Sequence, residues 1–169
     1  PPQDGDDIVL TIDRTIQYKT CALLEQGVKE YSAVSGAAVV MDPKTGAVLA
    51  LCSVPEFDPN DYGQVSSAYV YNNMAIFQPY EPGSVFKAFP MSAALNEQLV
   101  NPNTPFFDSG FVDSGCTKKI QNAHEKSYGN VTMTGVMENS INTGLVYVAH
   151  LLGKERLRRY VADFGFGVK

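Results

Sequence analysis

Residues 36–53, "GAAVVMDPKTGAVLALCS", constrain the fold more than any other stretch. Two apolar runs flank Asp42-Pro43-Lys44-Thr45-Gly46. Asp bonds back to its own chain, Pro presets φ and Gly accepts a left-handed conformation, so this is a turn between two strands. An antiparallel hairpin follows. Just upstream, "DIVLTID" alternates enough to predict a strand. Asp13 then reads as the cap of a helix reaching about Tyr31, with Ile16, Leu23, Leu24, Val28 and Tyr31 on one face.

Beyond the hairpin, "VPEFDPNDYG" is a loop, and a helix is expected from near Pro82 or Gly83 to about Leu99, kinked at Pro90. Residues 100–130 are irregular with short extended pieces, and so long a stretch in a compact domain tends to serve a site. "VTMTGVMENSINTGLVYVAHLLG" predicts two helices broken near Asn139 to Asn142, with Gly153 as a C-cap. A last helix, "KERLRRYVADF", runs into "GFG". With no repeat or linker visible, the 169 residues read as one continuous α+β unit.

Composition narrows the function classes. A net charge of -5 leaves no basic patch for a phosphate backbone, which argues against a nucleic-acid partner. Cys21, Cys52 and Cys116 have no paired spacing, so neither a metal site nor a disulfide framework is indicated. At least two of them read as small core residues, and one disulfide among them stays open. His124 and His150, the only histidines, read as structural or surface groups, although His124, Lys118 and Lys119 lie in a loop that could touch a substrate. Phe86, Phe89, Phe106 and Phe107 are expected in the core. No apolar run approaches the ~18 residues that span a bilayer. Both ends, "PPQDGDD" and "FGFGVK", read as cuts in a longer protein.

The chemistry resides in "YEPGSVFKAFP". Glu-Pro-Gly opens a helix, and Ser84 and Lys87 then share one face. A serine hydroxyl becomes a nucleophile when a base takes its proton, and lysine is that base only if its pKa falls by roughly 3 from about 10.4. The blander reading is a solvated helix lysine. About 56 residues later "ENSINTG" supplies Ser140 and Asn142 at a helix break. Ser140 either caps the following helix or relays a proton from Lys87, and Asn142 could hold both the lysine and a substrate carbonyl.

With "VLTIDRTIQ", "AAVVMDPKTGAVLALCSVPEFDPN", "YEPGSVFK", "YGNVTMTGVMENSINTG" and "FGFG" taken together, nearly the whole chain resembles the transpeptidase domain of class B penicillin-binding proteins. The resemblance implies the penicillin-binding protein and serine β-lactamase fold, an antiparallel sheet packed with helices. It implies Ser84 as acylated nucleophile, Lys87 as general base, Ser140 as proton shuttle and Asn142 as substrate contact. The Ser84 backbone N–H would be half of an oxyanion hole. It implies no cofactor and no metal. The implied partners are peptidoglycan stem peptides, β-lactam antibiotics, a lipid-linked glycan polymerase and other division or elongation proteins. The implied location is the outer face of the bacterial cytoplasmic membrane, with an N-terminal anchor helix outside this chain.

One motif departs from the pattern. The family's Lys-Ser/Thr-Gly strand follows Ser-x-Asn, whereas Lys44-Thr45-Gly46 precedes Ser84 and belongs to the hairpin turn, so it is rejected as catalytic. The third motif is expected beyond residue 169, making residues 1–169 the N-terminal part of a single transpeptidase domain. Without that motif the chain alone is expected to be inactive and its sheet left with an open edge. The competing readings are a D,D-carboxypeptidase or serine β-lactamase on the same fold, or a non-catalytic scaffold fragment of cell-wall assembly. "YEPGSVFK" and the hairpin favour the transpeptidase, and class D lactamases and β-lactam sensors would carry an aliphatic residue in place of Asn142.

Overall fold

The computed structural model describes residues 5–65, 67–113, 115 and 118–167. They form two compact units, Pro1–Tyr80 and Glu81–Lys169.

In the first unit, α1 (Arg14–Glu30) lies against a hairpin of β1 (Gly36–Met41) and β2 (Val48–Val54). Asp13 caps α1 by accepting from the Ile16 N–H, and Tyr31 closes it. The antiparallel register runs from Gly36 opposite Val54 to Met41 opposite Val48, around the expected turn. The amide of Gln17 grips β2 at two points, donating to Leu51 O (3.1 Å) and accepting from Leu51 N (2.8 Å). A helix side chain thereby satisfies the edge of a two-stranded sheet.

The segment 5–13 is no strand. It meets β2 through the Asp13 N–H to Leu49 O and the Thr11 hydroxyl to Val48 O. Because Asp13 must turn into a helix cap, no ladder develops, and Ile8 and Val9 stay 85% and 94% exposed. Leu23 of α1 and Tyr31 at its C-cap are exposed too, since the face that meets the hairpin is centred on Cys21, Leu24 and Val28. Cys21 and Cys52 form a disulfide with Cα atoms 5.4 Å apart, so this pair is a covalent tie and not two free core thiols. Cys116 lies outside the described residues. A short α2 (Met74–Phe77) completes the unit.

The second unit contains a 3-10 turn, Gly83–Lys87, leading into α3 (Ala88–Asn96), then β3 (Pro105–Asp108), β4 (Phe111–Val112), β5 (Ile120–Gln121), β6 (Gly129–Thr132), α4 (Met133–Glu138) and α5 (Asn142–Asp163). β3 pairs with β6 and β4 with β5, both antiparallel. The architecture is α+β as expected, its β part built of antiparallel pairs.

Pro90 does not kink a long helix. Lacking an N–H, it cannot bond to the Phe86 carbonyl, and the α-helical part begins at Ala88 with Pro90 in its first turn, where a donor is not needed. Gly153, at φ 72° and ψ 163°, interrupts α5 where the C-cap was expected. Phe107 is exposed because the alternation of β3 turns Phe106 and Asp108 inward instead.

Met91, Ala94, Met133, Val136, Ile141, Leu145, Val148 and Leu152 form the core of this unit. Gly144 sits where α5 crosses α4, and a Cβ there would come within 2.5 Å of Val136 Cγ1 and 2.7 Å of Cγ2. Gly144→Ala is therefore expected to destabilise the unit by about 1–3 kcal/mol through overpacking, read as a lower denaturation midpoint in urea. Val136→Ala in the same background is expected to restore part of the loss.

Candidate active site

Ser84 and Lys87 lie on the 3-10 turn and not on an α-helix. With three residues per turn, side chains three apart eclipse one another, separated by an axial rise of about 6 Å. The turn opens at Gly83, whose φ of +60° a side-chain-bearing residue adopts only with strain. Phe86 and Phe89 fasten it from the other side. Phe86 packs edge-on against Phe166 at 5.2 Å, and Phe89 against Phe164 and Phe166 at 4.9 and 4.8 Å, which gives the "FGFG" segment a structural role. Glu97, just past α3, accepts from Arg159 Nη2 (2.7 Å) and the Tyr160 hydroxyl (2.8 Å) of α5.

Ser84 is exposed and Lys87 half-buried. The Lys87 ammonium nitrogen donates to Ser140 O (2.6 Å), Ser140 Oγ (2.9 Å) and Asn142 Oδ1 (2.6 Å). Three of the four residues singled out in the sequence thus converge on one nitrogen, and the fourth sits one 3-10 turn before it. The solvated-helix reading of Lys87 fails on this geometry. Burial holds its pKa below the ordinary lysine value. As a neutral amine Lys87 retains two N–H donors for two of these three acceptors, and its single lone pair is then available to take a hydroxyl proton.

Ser140 does not cap α5, whose cap, Ile141, has no side-chain bond. It ends α4 instead. The Ile141 N–H returns to Val136 O (2.9 Å) and the Ser140 N–H to Met137 O (3.1 Å), a Schellman closure with Ser140 at φ 52°. Glycine is the usual occupant of that left-handed position, and a serine there costs about 1 kcal/mol or more. The strained turn aims both its hydroxyl and its carbonyl at Lys87. Asn142, the first residue of α5, is held by donating through Nδ2 to Gln121 O (2.6 Å).

Sequence reading missed Asp108. Its carboxylate is fully buried, and among the described residues no cation is one of its hydrogen-bond partners. Desolvation pushes its pKa up, but bonds from the Thr143 hydroxyl, the Gly110 and Tyr128 N–H groups and the Asn122 amide outweigh it, and the net direction is downward. The signal in the sequence was the strand alternation of "PFFD", which puts Asp108 on the same face as Phe106, and an Asp on an inward face needs partners to be there at all.

Among the described residues, none of Lys118, Lys119 and His124 shares a hydrogen bond with this cluster. Lys119 lies over the Phe111 ring at 4.7 Å, and His124, at φ 55°, is in a 3-10 turn after β5. Lys44-Thr45-Gly46 is turn chemistry throughout. Asp42 Oδ1 accepts from the Lys44 N–H and Oδ2 from the Thr45 hydroxyl, and the Gly46 N–H returns to Asp42 O.

An exposed serine one turn from a lysine that is itself fixed by a serine and an asparagine is an arrangement that could support acyl transfer through the serine. The family model for the penicillin binding protein transpeptidase domain matches residues 36–169, and the chain belongs to this family. It is 38% identical over 170 residues to stage V sporulation protein D of Bacillus subtilis (strain 168), covering 100% of this chain and 26% of that protein. It is 33% identical over 179 residues to the peptidoglycan D,D-transpeptidase MrdA of Escherichia coli (strain K12), covering 99% and 27%. Among solved structures, the apo transpeptidase domain of penicillin-binding protein 3 from Burkholderia pseudomallei matches with a TM-score of 0.79 at 30% identity, covering 98% of this chain and 44% of that one. The chain thus spans about a quarter of the length of these curated relatives.

Proposed function

We propose that this chain is the acylating part of a peptidoglycan D,D-transpeptidase that cross-links stem peptides ending in D-Ala-D-Ala and is acylated by penicillin. The observation that carries the reading is the Lys87 nitrogen held within 2.9 Å of Ser140 Oγ and 2.6 Å of Asn142 Oδ1, one turn from Ser84.

In this reading neutral Lys87 takes the Ser84 proton as Oγ attacks the penultimate D-alanine carbonyl. The peptide C–N bond breaks, the proton passes by way of Ser140 to the departing D-alanine amine, and an ester on Ser84 remains. A neighbouring stem's amine then attacks the ester and gives a proton to Lys87, which passes it to Ser84 Oγ as the ester C–O bond breaks, leaving a new amide, a free Ser84 hydroxyl and a neutral Lys87. Penicillin opens its β-lactam ring by the same attack, and its amine leaving group stays tethered. The Ser84 N–H supplies one oxyanion donor.

The Lys-Ser/Thr-Gly strand, the second oxyanion donor and the substrate-carboxylate site belong to the remaining length of the protein, so residues 1–169 alone do not turn over. The protein acts on the outer face of the bacterial cytoplasmic membrane from an N-terminal anchor outside this chain, with a lipid-linked glycan polymerase and other division or elongation proteins. Among the described residues no helix is long and apolar enough to cross a membrane.

The test is a product assay on the full-length protein with a donor pentapeptide and an acceptor amine, followed by mass spectrometry. The expected result is free D-alanine together with the cross-linked dimer. Free D-alanine with tetrapeptide and no dimer would make the protein a carboxypeptidase. Rapid release of penicilloic acid without a lasting adduct would make it a β-lactamase, and absence of every product would leave the scaffold reading.

A further inference from the structure

The buried Asp108 carboxylate takes no part in the chemistry above, yet burying a charge without a cation is costly unless every lone pair is used. Here all four are. Oδ1 accepts from the Gly110 N–H (2.9 Å) and the Thr143 hydroxyl (2.6 Å), and Oδ2 from Asn122 Nδ2 (2.8 Å) and the Tyr128 N–H (2.9 Å). Asn122 is 5% exposed and Thr143 4%. Asn122 completes the knot: its Oδ1 accepts from the Thr143 N–H (3.2 Å), and its Nδ2 also donates to Lys126 O (3.0 Å).

The position of this knot is what gives it a consequence. An amide side chain has an acceptor end and a donor end, and only the acceptor end suits Lys87. Asn142 is kept in the suitable orientation because its Nδ2 is taken up by Gln121 O (2.6 Å), leaving Oδ1 for Lys87 Nζ. Gln121 directly precedes Asn122, and Asn142 directly precedes Thr143. Both ends of the Asn142 clamp are therefore referenced to one buried carboxylate, one from the β5 side and one from the first turn of α5.

We propose that Asp108, Asn122 and Thr143 are positioning residues that lock the Asn142 amide with its oxygen on Lys87, and through it set the acylation rate of Ser84. The inference rests on the reading of Ser84 and Lys87 as the acylating pair. Thr143 is the member that can be altered most gently. Val keeps its shape and removes the hydroxyl, while Asp108 retains three N–H donors.

The experiment measures acylation of the full-length protein by a fluorescent penicillin, separating the rate constant at saturating probe from the half-saturating concentration. Rate constants come from the time course and not its amplitude, so molecules that fail to fold do not contribute. Thr143→Val is expected to lower the saturating rate about 10- to 100-fold, in line with a small misplacement of a catalytic group, with little change in half-saturation. Thr143→Ser, which restores a hydroxyl, is expected to recover to within about threefold of wild type. Thr143→Ala, with the same expectation as Val, serves if Val gives no reactive protein.

A wild-type rate in the hydroxyl-less variants overturns the proposal. So does an equal loss in Ser and Val, which would mark a packing role, and so does a loss confined to half-saturation. Ser84→Ala is run alongside: if it still takes up probe, the acylating-pair reading itself has failed, which is a separate outcome.

Discussion

Ser84→Ala is expected to abolish the penicillin adduct of the full-length protein, with no residual mass shift at any probe concentration that labels wild type. The loss is expected to be total because, in the proposed function, the bond formed is an ester on Ser84 Oγ. Ser140 Oγ is within reach of the site, but it is tied to Lys87 Nζ at 2.9 Å and sits on a turn at φ 52° that packing holds in place. Ser84 itself is exposed and is not part of the core, so removing one oxygen there costs little stability. A melting midpoint within a degree or two of wild type, together with zero adduct, separates lost chemistry from lost fold. An adduct that persists in Ser84→Ala would refute the assignment.

Lys87→Met is the second large effect, an expected fall of about 10²- to 10⁴-fold in the saturating acylation rate, the range general-base catalysis covers. Met is unbranched like Lys and one atom shorter, with no charge and no proton affinity. It leaves Ser140 O, Ser140 Oγ and Asn142 Oδ1 without their shared donor, so a modest drop in melting midpoint accompanies the rate loss. Lys87→Arg makes the comparison sharper, because guanidinium keeps the charge and donors but does not give up its proton. Arg as inactive as Met establishes a base; Arg near wild type would show that Lys87 acts through charge alone. The pH profile gives the same answer independently. Since burial lowers the Lys87 pKa, acylation is expected to rise with pH through that lowered value and level off before the ordinary lysine range near 10.4. Below it, Lys87 is protonated and Ser84 has no base.

Local signals carried much of this protein. The Asp42–Gly46 turn, the Asp13 cap and the helix break at Asn139–Asn142 each rest on residues whose backbone preferences are satisfied by their immediate neighbours, and each stands where its residues place it. Signals that depend on a partner read less well. "DIVLTID" has a strand's composition but remains coil, since strandedness requires a ladder and Asp13 commits its end of the segment to a helix. Phe107 is as apolar as Phe106, and only the register of β3 against β6 decides that it faces outward.

By itself, then, the sequence determined the hairpin, the capped helix, the pairing of Ser84 with Lys87 at a spacing of three, and the presence of Ser140 and Asn142 at a helix break. These follow from short-range steric and hydrogen-bonding preferences, which act between residues a few positions apart. The tertiary structure decided that Lys87 and Ser140, 53 residues apart, share a hydrogen bond. It decided that the turn bearing Ser84 is 3-10, and that a buried aspartate held by four neutral donors stands behind Asn142. Those outcomes depend on desolvation and on which donors surround a group once the chain has closed on itself, and neither quantity exists until distant segments meet.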